Sequence, residues 1–195
     1  MQKSHYFLLS AGVIATTLVL SGCSAGTSSA PISTPSASGT TEAQSRFNDS
    51  DTAFAMGMVE HHEQAIDMAE TILAKEGIDP RVTELAQNIK AAQGPEINLM
   101  NDWIANWDVA TDDMSDMDHG MAMSDEDMTA LDDATGLDAS KLFLTQMTVH
   151  HEGAIEMAQT EIDAGEDADA LTLAQKIIDA QTSEIESMKS LLAEI

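Results

Sequence analysis

Residues 54–69, FAMGMVEHHEQAIDMA, return as a similar stretch at residues 143–158, FLTQMTVHHEGAIEMA. The similarity continues downstream, where LAQNI at 85–89 matches LAQKI at 173–177, at an offset of 88 residues instead of 89. A long internal repeat is typical of one supersecondary unit that is used twice. The sequence therefore predicts a domain with two similar halves.

Each half reads as a pair of amphipathic helices. In the first helix, positions three and four residues apart form one stripe, which comprises Phe54, Met58, His61, Ala65, Met68 and Ile72. Gly77 is suited to end this helix, and Asp79 followed by Pro80 is a favoured start for the next. In the second half we expect Asp138 or Ser140 as the cap and Gly165 as the terminator. Two such hairpins, over residues 50–106 and 139–193, predict an all-α four-helix bundle.

Proline falls in the middle of the second predicted helix, at Pro95. Because proline removes a backbone hydrogen bond and clashes with the preceding turn, we expect a kink there. The alternative is that Pro95 begins a separate helix.

The N-terminal region predicts export and a lipid anchor. Residues 1–22 carry Lys3 and then an apolar run that is short for a membrane span, which is typical of a signal peptide. The run ends in Leu-Ser-Gly-Cys, which resembles a bacterial lipobox with Cys23 as the lipidated mature N-terminus. Residues 23–46 are rich in Ser, Thr, Ala, Pro and Gly and predict a flexible linker. The bundle domain is expected at 47–195, tethered to the outer side of the cytoplasmic membrane.

Composition excludes several classes of function. With 34 acidic and 8 basic side chains, the formal net charge is −26, which argues against nucleic acid as a partner. A single cysteine cannot form an intramolecular disulfide or a cysteine-rich metal site. Any bound metal must therefore be held by His, Met, Asp or Glu.

Polar residues occupy the helical stripes where apolar ones are expected. His61, Gln93 and Glu96 have equivalents in the second half, namely His150, Gln181 and Glu184. These side chains would destabilise the fold if they were buried without hydrogen-bond partners. The purely structural interpretation is therefore a layer of polar side chains that hydrogen-bond to one another. Methionines accompany them, however, and thioether with imidazole suits copper, particularly Cu(I). The candidate metal ligands in the helices are Met58, His61, His62, Met68, Glu96, Met100, Met147, His150, His151, Met157, Glu184 and Met188.

The connection between the two halves, at about 108–137, is a second candidate site. Residues 108–133 contain ten acidic side chains and no basic one. The purely structural interpretation is an acidic, solvated linker. Methionines have no packing reason to cluster in such a tract, and soft ligands recur there at Met114, Met117, His119, Met121 and Met123. We interpret the segment as an acidic, methionine-rich loop that captures copper.

The repeated MxxHHExAIxMA motif, followed by QxxEIxxM, resembles the bacterial domain-of-unknown-function family 305 over about residues 47–193. This resemblance implies a ferritin-like four-helix fold, export and, for a few members, copper binding and copper tolerance. It also implies that Met58, His61, His62, Met68 and Met100, with Met147, His150, His151, Met157 and Met188, are the ligand positions.

The favoured hypothesis is a copper-binding lipoprotein that sequesters or transfers the ion, with a copper-transfer partner or a homo-oligomer as further possibilities. A di-iron or di-manganese oxidase on the same fold is the alternative, although no Glu-x-x-His motif occurs in the chain. A metal-free helical interaction module is the third hypothesis. Which histidine of each adjacent pair faces inward stays open, because neighbouring helical residues point about 100° apart.

Overall fold

The computed structural model describes residues 47–109 and 122–195, and the described residues contain helices and no strand. The helices are α1 (Asp49–Leu73), α2 (Pro80–Asn106), α3 (Asp125–Asp133), α4 (Gly136–Ala164) and α5 (Ala168–Glu194). The predicted all-α bundle of two helical hairpins is confirmed, with α1 and α2 in one hairpin and α4 and α5 in the other. No helix in the described ranges is both long and apolar enough to cross a membrane.

Local sequence explains most helix ends. Asn48 caps α1 through a capping box with Asp51, and Asp79 caps α2 directly before Pro80, as predicted. The prediction that Gly77 ends α1 was wrong, because α1 ends at Leu73 with Ala74 as its C-cap, and Gly77, with a positive φ of 75°, lies in the loop before α2. The predicted start of α4 was wrong. Its N-cap is Thr135, which lies three residues before Asp138 and five before Ser140.

Helix α2 is continuous through Pro95, so the alternative that a separate helix begins at this proline is wrong. The kink at this position stays a prediction.

The short helix α3 was not predicted, because residues 108–137 were interpreted as a loop. Ser124 forms a capping box with Asp127 at its start, and Leu131 is fully buried. A nine-residue helix with five acidic residues is not stable alone in water. Its stability here comes from packing Leu131 and Met128 against the bundle.

Helices α1 and α4 run antiparallel and are related by an approximate two-fold axis. At one end, Asn48 Nδ2 donates to the carbonyl of Ala164 over 2.8 Å. At the other end, the backbone N–H of Asp79 donates to Ser140 Oγ over 3.1 Å. Both hairpins therefore place their repeated motifs at matching heights, on opposite sides of the same axis.

Candidate metal centre

Four buried histidines form the centre of the bundle. His61 and His150 lie at the approximate two-fold axis, where their ring centroids are 3.6 Å apart and the ring planes are inclined by 38°. Their sequence neighbours, His62 and His151, are fully buried. Both residues of each adjacent pair therefore lie inside the bundle. This is possible because α1 packs against α4 on one side and against α2 on another.

Each outer histidine is held by a glutamate from the partner helix of its own hairpin. His62 Nε2 lies 2.8 Å from Glu96 Oε2, and His151 Nε2 lies 2.6 Å from Glu184 Oε2. A hydrogen on Nε2 donates to the carboxylate in each pair and leaves the lone pair on Nδ1. Metal-binding histidines are commonly oriented in this way, by a carboxylate on the nitrogen that does not bind the ion.

The opposite nitrogen of each outer histidine has no hydrogen bond to any described residue. Nδ1 of His62 and Nδ1 of His151 are both buried. The side-chain oxygens of Gln93 and Gln181 are likewise buried and unpaired within the described ranges. Each such atom costs about 1–3 kcal/mol if nothing binds it. The same unpaired atoms occur in both halves, so they belong to the repeated unit and not to one local packing arrangement.

Six methionines line the helices around this histidine layer. They divide into two clusters, and each cluster draws on both hairpins. Met68, Met147 and Met188 belong to one packed core, which we call the Met68 cluster. Met58 and Met100 belong to the other core, with the half-buried Met157 against it, and these three form the Met58 cluster.

The clusters lie beside the histidine–glutamate pairs along the helices. Met58 is one turn before His62 on α1, and Met100 is one turn after Glu96 on α2. Met147 and Met188 have the same relation to His151 and Glu184. Each half therefore carries a buried imidazole with one methionine a helical turn from it and another a helical turn from its glutamate, and imidazole with thioether is a donor set that suits Cu(I).

Burial favours the uncharged form of His150. The pKa of His150 lies well below its usual value, first because the ring is buried and then because His61, His151 and His62 would repel a second charge. A neutral imidazole retains the lone pair that a metal ion needs.

The candidates in the connecting segment fall mostly outside the described residues. Met114, Met117, His119 and Met121 lie there. Met123 is described and half-buried, and it packs against the core that contains the Met68 cluster. The Gln64 side chain makes two hydrogen bonds with the Met123 backbone. Gln64 Nε2 donates to the Met123 carbonyl over 3.0 Å, and Gln64 Oε1 accepts from the Met123 N–H over 2.7 Å.

The two glutamates that the oxidase hypothesis would use as metal ligands are each paired with a histidine. Among residues 47–109 and 122–195, no three His, Cys, Asp or Glu side chains come together in a way that could hold a metal ion. Glu96 and Glu184 each bind a histidine of their own hairpin.

Two groups of residues near the site have only a weak signal in the sequence. Gln64 and Gln146 fasten α3, and the only sequence signal for this role was their departure from the repeat, in which glycine takes the equivalent position. Asp51 and Glu161 form a buried pair of carboxyl groups between the start of α1 and the end of α4. Glu161 departs from the apolar pattern at the position equivalent to Ile72.

Several solved structures are similar to this chain in both sequence and fold. A DUF305 protein of Streptomyces coelicolor that is classed as secreted has 32% sequence identity and a TM-score of 0.68, with 74% of this chain and 93% of that chain covered. A DUF305 fragment from Deinococcus radiodurans has 26% identity and a TM-score of 0.65, with 76% and 99% covered. CopM in its Cu(II)-bound form has 33% identity and a TM-score of 0.64, with 74% and 96% covered.

CopM was also solved with Cu(I), at 32% identity to this chain and a TM-score of 0.62. No functionally curated protein matches the sequence. The family described as a domain of unknown function, DUF305, matches residues 51–192. This match covers most of the chain and includes both copies of the repeated motif, so the chain belongs to the DUF305 family.

Proposed function

We propose that this protein binds copper outside the cytoplasm and that the buried histidine–methionine sites of the bundle hold the ion. The observation that carries the proposal is the pair of buried, unpartnered Nδ1 atoms on His62 and His151, each fixed by a glutamate on the opposite nitrogen. Copper binding by CopM, which has the same fold and a third of its residues identical, supports it.

Within the proposal, the two halves provide equivalent sites. His62, Met58 and Met100 would bind one ion, and His151, Met147 and Met188 would bind another. Glu96 and Glu184 position the imidazoles, and Met68 and Met157 bring a thioether from the opposite hairpin to each core. The soft donors favour Cu(I).

Capture and localisation complete the proposal. The methionines of the connecting segment, Met114, Met117 and Met121, would bind copper first, with His119 and Met123. The high negative charge of the chain would attract cations toward them. Lipidation of Cys23 would keep the protein on the outer side of the membrane, where it sequesters copper or transfers it.

Conservative methionine variants test the bundle sites directly. Met58→Leu keeps the volume of the side chain and removes the sulfur, and Met56→Leu is the matched control at a buried methionine outside the proposed sites. We expect Met58→Leu to weaken Cu(I) binding at least tenfold in competition with a chelator, while Met56→Leu binds as the wild type does. Equal affinities of the two variants would contradict a role for Met58.

Histidine variants test the number of ions. Replacing His62 or His151 with alanine should remove one equivalent of tightly bound Cu(I), and the double variant should remove two. Unchanged stoichiometry in the double variant would contradict the bundle sites. Replacing residues 114–121 with glycine and serine applies the same measurement to the capture segment. A Cys23→Ala variant that stays in the membrane fraction would contradict the lipid anchor.

A further inference from the structure

The outer groove between α1 and α4 has two halves related by the approximate two-fold axis. One half lies between residues 64–73 of α1 and 136–146 of α4, and we call it the covered half because α3 packs across it. The other lies between residues 49–57 and 153–164. No helix of the described chain covers it, and we call it the open half.

The covered half shows what kind of segment this groove accepts. Leu131 of α3 is fully buried there, and Met128 is partly buried beside it. The α3 backbone is also held, because Gln146 Nε2 donates to the carbonyl of Asp127 over 2.8 Å. A short helix with apolar residues three positions apart therefore fits, with its first turn fastened by glutamine side chains.

The open half has an apolar floor and lacks the glutamines. The repeat places Gly57 where the covered half has Gln146, and Gly153 where it has Gln64. Met157 is half-buried, whereas its equivalent under α3, Met68, is fully buried. A cavity of about 170 Å³ lies here, lined by Ser50, Ala53, Phe54, Met157, Thr160 and Glu161. A cavity of about 150 Å³ accommodates a benzene molecule, so this one can take a single large apolar side chain.

Charge restricts what can occupy the open half. Asp49 on α1 and Glu156 on α4 are exposed beside it. Helix α1 contains no Lys or Arg, and the single basic residue of α4, Lys141, lies at the covered half. A second copy of this chain carries a net charge of −26 and would be repelled. Two segments of this chain are also poor candidates for an apolar groove with acidic edges. Residues 110–121 contain four Asp and no basic residue, and residues 24–46 contain almost no large apolar side chain.

We propose that the open half of the groove docks a short, basic, amphipathic helix of a second protein. One apolar side chain of this helix fills the cavity over Phe54, and lysine or arginine side chains lie beside Asp49 and Glu156. The docking rests on packing and charge and does not require copper. If the proposed copper function holds, the bound helix also reaches Met157 and hence the Met58 cluster.

A peptide derived from α3 tests the proposal. The probe is SKKKMTALKKA, which is residues 124–134 with lysine at the five acidic positions, and the native SDEDMTALDDA is its control. The mature chain with Cys23→Ser is labelled on its methionine methyl groups, and the Met157 signal is assigned with Met157→Leu. Titration is followed by NMR at 150 mM salt. We expect saturable shifts of the Met157 methyl with the lysine peptide, and at least tenfold weaker binding of the native peptide.

Three variants locate the binding. Gly57→Gln places a glutamine where the covered half has one. The Cβ lies 3.0 Å from the flexible Met157 Cε, so the methyl group can move aside. Gly57→Gln should strengthen binding of the lysine peptide at least threefold, because the equivalent Gln146 donates to the α3 backbone in the covered half. Glu156→Lys, at an exposed position, should weaken binding three- to tenfold. Glu186→Lys makes the same charge change on an exposed site of α5 and should stay within twofold of the wild type.

Each alternative gives a distinct result that overturns the proposal. Equal losses in Glu156→Lys and Glu186→Lys indicate general charge attraction. Binding that appears only after residues 112–121 are replaced by glycine and serine indicates that the chain's own segment occupies the groove. A concentration-dependent dimer that forms without peptide and shifts the same Met157 methyl signal indicates that a second copy occupies the groove. Absence of binding to the copper-free protein, with Cu(I) affinity intact, overturns the docking site and leaves the copper proposal standing.

Discussion

Raising the pH from 5 to 8 is expected to destabilise the fold through one side chain, Glu161. Its carboxyl group is fully buried, and its pKa is raised to about 8 from an ordinary 4.5. Burial is the main cause, and the neighbouring Asp51 adds to it by hydrogen bonding and by charge repulsion. Asp51 itself accepts hydrogen bonds from the backbone N–H groups of Asn48, Glu166 and Asp167, which lower its pKa. Glu161 is therefore protonated beside an ionised Asp51 at neutral pH.

The sign and size of the effect follow from proton linkage. Because the folded state holds this proton more tightly than the unfolded state, unfolding releases it between pH 4.5 and 8. The contribution is complete below pH 4.5, falls as the pH rises, and is flat above 8. One pH unit corresponds to about 1.4 kcal/mol, so the loss between pH 5 and 7 is about 3 kcal/mol. For a domain of this size that is a fall in Tm of roughly 6–12 °C.

The variant Glu161→Gln isolates this contribution, because the amide stays neutral and can still donate to Asp51. Its Tm should lie close to that of the wild type at pH 5 and several degrees above it at pH 8. Glu156→Gln is the control, since it makes the same change at an exposed position of the same helix. His150 titrates in the opposite direction in both proteins, so the difference between the two Tm curves removes it. Parallel curves for Glu161→Gln and the wild type from pH 5 to 8 would refute the reasoning.

Three further predictions concern the metal centre, α3 and the helix ends. Glu96→Gln should weaken Cu(I) binding 10- to 100-fold in a chelator competition with little change in Tm, because the carboxylate orients His62; an unchanged affinity would contradict that role. Leu131→Ala should lower the free energy of unfolding, measured in urea, by about 2–5 kcal/mol, because Leu131 is fully buried. The control, Thr129→Ala on the exposed face of α3, should change it by less than about 0.5 kcal/mol. Gly165→Ala should destabilise the fold, because its Cβ would overlap Glu161 Oε1 and lie 2.8 Å from the Glu161 carbonyl oxygen. Gly94→Ala meets nothing within 4 Å and should stabilise α2 by about 0.5–1 kcal/mol. If urea unfolding showed Gly165→Ala to be the more stable of the two variants, this would contradict the packing around Glu161.

The repeat and the helical period were enough to predict the architecture. Stripes such as Phe54, Met58 and Ala65 define a buried face without any knowledge of the neighbouring helix. The period could not predict α3, because only Met128 and Leu131 mark its apolar face and the helix depends on a surface formed by distant residues. The sequence also did not mark the start of α4, because its N-cap residue, Thr135, makes no side-chain capping hydrogen bond.

At the candidate site, the sequence predicted the residue types and left their partners open. It placed His61 on the buried stripe but could not decide between His61 and His62. Both are buried, since adjacent residues point about 100° apart and α1 has neighbours in both directions, with His61 against His150 and His62 against Glu96. The sequence also could not predict that Met68 and Met157 each pack in a core with methionines of the other hairpin, because this depends on how the hairpins cross.

The crossed origin of the two methionine clusters has an evolutionary consequence. A single ancestral hairpin could assemble such a cluster only by pairing with a second copy, and strict symmetry would then keep both ends of the dimer identical. Duplication and fusion into one polypeptide remove that constraint. The equivalent positions 57 and 146 could then diverge independently to glycine and glutamine, which allows α3 to cover one end of the bundle while the other end stays open.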